Sequence, residues 1–303
     1  MENLTVGVIG LGRMGAAIAH RLKKAGIAVV GYDADATKAD VARCEGFDFA
    51  NSLSDVARRA RILWLMVPAG QLVDEVLKAL SPYMQVGDVI IDGGNSHFKD
   101  SQRRAAALAL KPIHYLDCGT SGGLHGREEG YSLMVGGDAD VFKNLEPVFK
   151  ALAAPQGYLL VGPSGAGHYV KMVHNGIEYA LLQAYAEGFH VLKRAPFENL
   201  DLAAIANVWN HGSIIRSWIN QLAYDVLKKD QDFTGVSGAI GENKTGQWTV
   251  EAAHEIEVPV ETIELALNIR AQSRDTGGNY ATQLVALLRG EFGGHEVKRV
   301  DHE

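Results

Sequence analysis

The sequence predicts an α/β fold in two parts, an N-terminal Rossmann-type doubly wound parallel sheet and an all-helical C-terminal domain. Two observations predict it. In residues 1–163, short runs rich in Val, Ile and Leu alternate with helix-like segments, as in a parallel sheet covered by helices on both faces. In residues 164–303 the strand signals stop, and apolar residues recur at the three-and-four spacing of helices. We therefore expect two domains, 1–163 and 164–303, with the boundary near Ser164.

The predicted elements follow one another in a regular order. The strand signals in the first domain are TVGVIG, AVVGYD, RILWLMV, DVIIDGG, IHYLDCG, YSLMVGG and GYLLVG. After the segment GPSGAG, the periodicity predicts long helices over about 168–194, 201–228, 248–274 and 279–289.

The composition excludes several classes of protein. A chain of 303 residues with 47% hydrophobic residues is long enough for two cores. A net charge of −7 without a basic cluster longer than RR argues against a nucleic-acid or anionic membrane surface. The run ILWLMVPAG is shorter than the ~18 residues of a membrane span, and the N-terminus lacks signal-peptide features. We expect a cytoplasmic protein without nucleic-acid or membrane partners, in which Cys44 and Cys118 are reduced and structural.

A glycine-rich segment predicts a cofactor. VGVIGLGRMG carries a GxGxxG pattern at Gly10, Gly12 and Gly15, directly between a predicted strand and a predicted helix. Backbone N–H groups at such a helix N-terminus bind a pyrophosphate. The next strand ends in Asp33, whose carboxylate can accept hydrogen bonds from ribose hydroxyls and would repel a 2′-phosphate. The pattern therefore favours NAD over NADP, although Asp33 as a turn cap and Lys38 as a phosphate partner remain alternatives.

Two further loops follow predicted strands at the carboxyl edge of the sheet, where ligands bind in this architecture. They are MVPAG and DGGNS, and ordinary turns are the alternative for both. Asn95 is the more suggestive residue because two glycines precede it. The predicted cofactor-binding set comprises Gly10, Leu11, Gly12, Arg13, Met14, Gly15, Asp33, Val67, Pro68, Ala69 and Asn95.

The segment VKMVHNGIEY predicts a helix with two distinct faces. One face is apolar, and the other carries only ionisable or amide side chains at the spacing i, i+3, i+4 and i+7, namely Lys171, His174, Asn175 and Glu178. An interhelical salt bridge is the alternative to a catalytic role for this stripe. The loop CGTSGG can present Ser121 and backbone N–H groups to a carboxylate, although its composition is also common in turns.

At these residues the sequence resembles a known family. GLGRMG, the SGG loop and the GAGxxxKxxxN helix resemble the β-hydroxyacid dehydrogenases, and KMVHNGIEY resembles the 6-phosphogluconate dehydrogenases within them. TGQWT and RGEFGGH resemble two further segments, so the likeness extends from Val6 to about His295. The chain is too short for the duplicated helical half of the long forms and resembles the short, often NAD-linked branch. Asn243 stands where those forms have a phosphate-binding lysine, and Lys244 follows one place later.

The resemblance implies an oxidative decarboxylation of 6-phosphogluconate to ribulose 5-phosphate, in the pentose phosphate pathway, with NAD and without a metal. Lys171 is then first a base and later an acid, which requires that burial keeps it neutral before oxidation. Glu178 is the acid that protonates C1 of the product, and His174 and Asn175 bind substrate hydroxyls. A related 3-hydroxyisobutyrate-type dehydrogenase and a non-catalytic NAD-sensing scaffold are the competing hypotheses.

The resemblance also implies a substrate site and an assembly. Tyr179, Lys244, Thr245 and Arg270 are expected to hold the phosphate of a sugar acid. We expect a homodimer or a dimer of dimers through the helical domain, in which Arg289 and His295 complete the neighbouring chain's site. The implied substrate-binding set is Asn95, Ser121, Gly122, Gly123, Lys171, His174, Asn175, Glu178, Tyr179, Lys244, Thr245, Arg270, Arg289 and His295.

Overall fold

The computed structural model describes residues 4–242 and 244–300. The chain divides into two compact units, Met1–Met172 and Val173–Glu303. This division falls inside one helix, Ala166–Lys193, a few residues after the boundary expected near Ser164. Strand signals end before that helix begins, but its first two turns pack on the sheet and therefore belong to the first unit.

Within the described residues, eight strands of the first unit form one sheet. The strands are β1 (Thr5–Ile9), β2 (Ala28–Tyr32), β3 (Asp48–Phe49), β4 (Ile62–Leu65), β5 (Val89–Asp92), β6 (His114–Ser121), β7 (Tyr131–Gly136) and β8 (Ala153–Gly162). Their order is β3-β2-β1-β4-β5-β6-β7-β8. Neighbouring strands are parallel except β6 and β7, which are antiparallel, so the sheet is mostly rather than wholly parallel. The predicted α/β class is confirmed, and the short β3 is the one strand that the sequence reading missed.

Helices cover both faces of this sheet. They are α1 (Arg13–Lys24), α2 (Ala39–Glu45), α3 (Leu53–Arg59), α4 (Gln71–Leu80), α5 (Phe98–Ala109), α6 (Gly126–Glu129), α7 (Ala139–Asn144) and α8 (Glu146–Leu152). Successive side chains of a strand point to opposite faces. In β4, Ile62 and Trp64 therefore enter one core while Leu63 and Leu65 enter another. Burial on both faces explains why these strands read as continuous apolar runs.

The second unit is helical throughout its described elements. After α9 (Ala166–Lys193) the helices are α10 (Leu202–Asn210), α11 (Trp218–Lys229), α12 (Lys244–Glu255), α13 (Glu261–Thr276) and α14 (Tyr280–Gly293). Their core includes Leu182, Phe189, Leu222 and Leu284, all nearly inaccessible to solvent.

Two helices expected from the periodicity are each divided in the structure. The segment 201–228 breaks after α10, where Gly212 adopts a φ of 96° and Ser217 then caps α11 by accepting from the Asn220 N–H. The segment 248–274 lies across α12 and α13, which are separated by a loop containing Glu257 at a φ of 57° and Pro259. Left-handed residues and proline end helices, whereas an apolar spacing can continue unbroken across such a turn.

Candidate active site

The glycine-rich turn after β1 has the shape required by a pyrophosphate. Gly10 adopts a φ of 92°, and a Cβ there would lie 2.6 Å from the Met66 carbonyl oxygen. A Cβ on Gly15 would lie 1.8 Å from the Gly10 carbonyl oxygen, so only glycine permits this approach of α1 to the turn. Gly12 is the N-cap of α1, makes no side-chain cap, and has open space where its side chain would be. The N-terminus of α1 therefore fits an anionic ligand.

Asp33 lies beside this turn, at the end of β2. Its Oδ2 accepts a hydrogen bond of 2.6 Å from the Leu11 N–H, and its Oδ1 accepts one of 2.9 Å from the Asp35 N–H. Each carboxylate oxygen retains a second lone pair for a hydroxyl donor. Leu11 is buried, Met14 is half-buried and Arg13 is exposed. The arrangement fits a dinucleotide, with the carboxylate held in place by the glycine-rich turn itself.

The loops that follow β4 and β5 meet at the same edge of the sheet. The Gly93 N–H donates to the Leu65 carbonyl, and a Cβ on Gly94 would lie 3.1 Å from the Val67 carbonyl oxygen. Pro68, Ala69 and Asn95 are exposed on these loops, and Val67 is half-buried. All the predicted cofactor-binding residues therefore lie in the first unit, along the carboxyl ends of β1, β2, β4 and β5.

Lys171 lies in the first two turns of α9, which are anchored to β6. Both carboxylate oxygens of Asp117 accept backbone hydrogen bonds from the start of this segment, from Gly165 at 2.6 Å and from His168 at 2.8 Å. A Cβ on Gly119 would lie 2.4 Å from the Lys171 Cβ, so the helix packs directly against the strand. Lys171 is only 8% exposed. The strand then ends at Ser121, and Gly122 and Gly123 form the turn beyond it.

In the second unit, the polar stripe of α9 contacts α12. The Asn175 Nδ2 donates to the Thr245 Oγ1 at 3.1 Å, and a contact of 3.1 Å joins the His174 Nδ1 and the Asn175 Oδ1. A Cβ on Gly176 would lie 2.6 Å from the Thr249 side chain, so the helices approach closely here. Asn175 and Thr245 are buried, which fixes the amide in one orientation.

A cluster of buried cations lies beside this contact. The Arg270 guanidinium stacks on the Tyr179 ring, with its Cζ 3.3 Å from the ring centroid. Arg270 is 3% exposed, yet neither Nη1 nor Nη2 has a hydrogen-bond partner among the described residues. Arg289 is 5% exposed, and its Nη1 donates to the Gly241 carbonyl at 2.9 Å.

Both guanidinium groups of this cluster have pKa values below the usual value of arginine. Burial lowers the pKa of Arg270 to about 10, the neighbouring Arg289 acts in the same direction, and Tyr179 and Glu178 oppose it. Burial likewise lowers the pKa of Arg289. Buried cations without carboxylate partners are unfavourable, and a bound oxyanion removes that penalty.

Two of the predicted substrate-binding residues are exposed in the structure. Lys244 is the exposed first residue of α12, and His295 is exposed beyond α14 with its ring against Phe292. Asn243 lies outside the described residues. Considered alone, Arg270 reads as a charge on a helix surface, but the structure buries it because α13 turns this side chain against Tyr179.

The sequence reading missed the residues that anchor α9. Asp117 is completely buried within β6, and His168 is buried with its Nδ1 2.7 Å from the Ser101 Oγ. The position of Asp117 inside an apolar strand was the sequence feature that indicated such an anchor, since a buried charge requires fixed partners. Cys118 is completely buried, and burial raises the pKa of its thiol, in agreement with a structural role.

Among the described residues, no group of three or more His, Cys, Asp or Glu side chains is placed to hold a metal ion. In the same part of the chain, no helix combines the length and apolarity of a membrane span.

The fold and the first unit's site define a class, the dinucleotide-dependent oxidoreductases with a Rossmann-type domain followed by a helical domain. The family model for the NAD-binding domain of 6-phosphogluconate dehydrogenase matches residues 5–168. The model for the C-terminal domain of 6-phosphogluconate dehydrogenase matches residues 167–283. The chain therefore belongs to the 6-phosphogluconate dehydrogenase family.

Individual relatives agree with this assignment. A Haloferax volcanii protein named an NAD(+)-dependent, decarboxylating 6-phosphogluconate dehydrogenase is 46% identical over 98% of this chain and 100% of its own length. The solved 6-phosphogluconate dehydrogenase of Plasmodium falciparum superposes with a TM-score of 0.83 at 28% identity, covering 90% of this chain and 62% of that one. A 3-hydroxyisobutyrate dehydrogenase from Salmonella typhimurium shares the fold, with a TM-score of 0.77 at 24% identity over 93% of this chain and 99% of that one.

Proposed function

We propose that this oxidoreductase converts 6-phosphogluconate and NAD into ribulose 5-phosphate, CO₂ and NADH. Family membership and the name of the Haloferax volcanii relative support the reaction class. The observation that carries the choice of substrate is the buried cluster of Tyr179, Arg270 and Arg289. A cytoplasmic role in the pentose phosphate pathway is part of the same proposal.

The cluster suits a phosphate monoester. Phosphate oxygens accept hydrogen bonds from guanidinium groups in parallel pairs, and the two terminal nitrogens of Arg270 are available for them. Stacking on Tyr179 orients the guanidinium plane. A substrate without a phosphate, such as 3-hydroxyisobutyrate, would leave these buried nitrogens unsatisfied. The cluster therefore favours the sugar acid phosphate over the smaller hydroxyacid.

Lys171 is the proposed base of the oxidation. Its amine takes the proton of the C3 hydroxyl while C3 becomes a ketone. Bound NAD, held at the first unit's edge, would supply the acceptor for the hydride that leaves C3. The resulting ammonium donates a hydrogen bond to the C3 carbonyl oxygen and stabilises the negative charge that develops there as the bond to the carboxylate breaks and CO₂ leaves.

Glu178 is the proposed acid of the last step. It lies seven residues after Lys171 on the same continuous helix, about two turns along one face. The enediolate left by decarboxylation needs one proton on carbon to become ribulose 5-phosphate, and the Glu178 carboxyl group delivers it to C1 of the product. Asn175, held by Thr245, and His174 are proposed to bind the substrate hydroxyls between these two groups.

Asp33 supports NAD as the preferred dinucleotide. Its carboxylate is fixed by the Leu11 and Asp35 N–H groups and cannot rotate away from a 2′-phosphate without losing both bonds. A fixed negative charge at that point repels NADP. We therefore expect a higher kcat/KM with NAD than with NADP.

The helical unit supports a homo-oligomer. Exposed small or apolar residues on α9 follow one another at spacings of four, three, four and three, namely Ile177, Leu181, Ala184, Gly188 and Val191. Such a seam is typical of a helix that packs against another. We propose that a second copy of the chain covers it, in a dimer or a dimer of dimers.

The experiment that tests the function is the reduction of NAD followed by absorbance at 340 nm. We expect turnover with 6-phosphogluconate, less with NADP in place of NAD, and none with 3-hydroxyisobutyrate. Turnover with 3-hydroxyisobutyrate alone would replace the proposal with the smaller substrate. Dinucleotide binding without turnover of either acid would favour a non-catalytic scaffold.

A further inference from the structure

A buried arginine in α5 joins the two cofactor loops of the first unit. The Arg104 side chain is 1% exposed, although arginine is almost never found inside a protein without partners. Its Nη2 donates to the Gly70 carbonyl at 2.9 Å, at the end of the loop after β4. Its Nη1 donates to the Ser96 Oγ at 3.2 Å, in the loop after β5. One guanidinium thus holds the two loops at a fixed separation.

Carboxylates surround the same guanidinium. Its Nε donates to the Asp74 Oδ1 at 2.9 Å, and its Nη1 lies 3.5 Å from the Asp92 Oδ2. Asp92 in turn accepts hydrogen bonds from the Ser96 hydroxyl and the Tyr115 hydroxyl, both at 2.8 Å. The network therefore extends from the first turn of α4 through Arg104 to the residue next to Asn95.

The position of these loops identifies the part of the cofactor that they would contact. In a doubly wound sheet the dinucleotide lies across the strands, with one mononucleotide on each side of the switch point. The sheet order places β2 on one side of β1 and β4 and β5 on the other. Asp33 at the end of β2 is the ribose-binding carboxylate of the adenosine half. The loops after β4 and β5 therefore belong to the nicotinamide half.

We propose that Arg104 is a positioning residue for the nicotinamide half of the bound dinucleotide. It contacts neither cofactor nor substrate and acts by fixing the Gly70 and Ser96 loops relative to each other. Lysine at this position keeps the positive charge, but a single ammonium lacks the planar fork that reaches both loops and both carboxylates. The inference rests on the proposed use of NAD and is independent of the sugar acid.

The test compares two ligands in Arg104→Lys and wild-type protein. NADH fills both halves of the site, whereas ADP fills only the adenosine and pyrophosphate part. We expect the Kd of NADH to rise about tenfold or more, because charge-assisted hydrogen bonds that position the loop are lost, and the Kd of ADP to change by less than about twofold. Thermal unfolding of the same samples records the loss of stability separately.

The matched control is Arg103→Lys. Arg103 neighbours Arg104 in sequence and also pairs with Asp74, but its side chain is 56% exposed and reaches neither loop. This variant should bind NADH and ADP as the wild type does. If Arg104→Lys does not fold, Ser96→Ala removes the link to one loop without moving a charge, and its NADH Kd should rise relative to its ADP Kd.

Two results would overturn the inference. One is a lowered unfolding temperature with both Kd values unchanged, which shows a purely structural role. The other is an equal weakening of NADH and ADP, which shows a general loss of the site. Because both ligands are measured by binding, a wild-type protein that fails to oxidise 6-phosphogluconate would contradict the proposed function and leave this inference standing.

Discussion

Two buried arginines, one in each unit, differ in the partners that the fold provides for their charge. Arg104 is surrounded by Asp74, Asp92, Ser96 and the Gly70 carbonyl. Although burial alone would lower its pKa, Asp74, Tyr115 and Asp92 raise it. Arg270 is just as inaccessible, but its terminal nitrogens have no partner in the described chain, and burial lowers its pKa. Arg104 is therefore paired by the fold itself, whereas we propose that the Arg270 guanidinium pairs with a bound anion.

The same comparison explains the neighbouring groups. Hydrogen bonds from Arg104 hold the pKa of Asp74 below its usual value, so the pair is stabilised in its charged form by the fold itself. In the second unit, burial lowers the pKa of Arg270, and the neighbouring Arg289 acts in the same direction. Tyr179 and Glu178 oppose this shift, and a bound oxyanion would stabilise the charged guanidinium further.

The largest expected effect is on the chemical step and involves neither arginine. Lys171→Met should lower kcat by roughly 10⁴-fold, because the variant loses the proposed base of the oxidation, which also acts as the acid of the decarboxylation. The proposed cofactor contacts lie along the strand ends, so the Kd of NADH should stay near the wild-type value, as titration of NADH fluorescence can measure. Wild-type decarboxylation of a supplied 3-keto acid by this variant would contradict the acid role of Lys171.

The next effect contrasts the two arginines directly. Arg104→Met leaves Asp92 buried and unpaired and should lower the free energy of unfolding by about 3–5 kcal/mol. Arg270→Met removes a buried cation whose terminal nitrogens have no hydrogen-bond partner among the described residues, so stability should be unchanged or higher, while kcat/KM for 6-phosphogluconate falls by roughly 10²–10³-fold. Urea unfolding and steady-state kinetics of the two variants provide the measurements. Equal destabilisation by both changes would show that the fold stabilises the Arg270 side chain as much as it stabilises Arg104.

A third prediction concerns the chain that supplies Arg289. The structure brings Arg289 to the Arg270 cluster of its own chain, whereas the resemblance implied a role in the neighbour's site. When inactive Lys171→Met and Arg289→Ala proteins exchange subunits, we therefore expect the mixture to stay inactive. Recovery of about a quarter of the wild-type activity would show that Arg289 acts across the dimer. For the exposed His295, action on the neighbouring site stays a prediction, and the same mixing with His295→Ala tests it.

The smallest effect is the stabilisation of the Arg270 cluster by inorganic phosphate. At pH 7.5, well below the Arg270 pKa of about 10, the guanidinium is charged, and its burial penalty is present in the folded protein. Phosphate at about ten times its Kd should raise the free energy of unfolding by about 1.4 kcal/mol. The Arg270→Met variant should show no such gain in a thermal melt, and Arg104→Lys should keep it. An equal gain in all three proteins would indicate a nonspecific salt effect.

Local patterns gave reliable predictions where the chemistry depends on neighbours in sequence. The GxGxxG turn and the strand that ends in Asp33 lie within one short β-α-β segment, so their spacing specified the cofactor edge. The stripe from Lys171 to Glu178 follows the helical repeat, and α9 forms as expected. The antiparallel β7 and the division of two long helices were not predicted, because strand direction and helix breaks depend on packing partners and on residues such as Gly212 and Pro259.

The α/β class, the glycine-rich turn and the polar stripe of α9 follow from the sequence alone, because a strand or a helix carries its own period. The burial of Arg270 on Tyr179 and the link that Arg104 makes between two loops depend on the tertiary structure. So does the anchoring of the Lys171 helix by Asp117. Each of these arrangements joins segments far apart in the chain, and a side chain's burial, partners and charge state depend on which segments meet there.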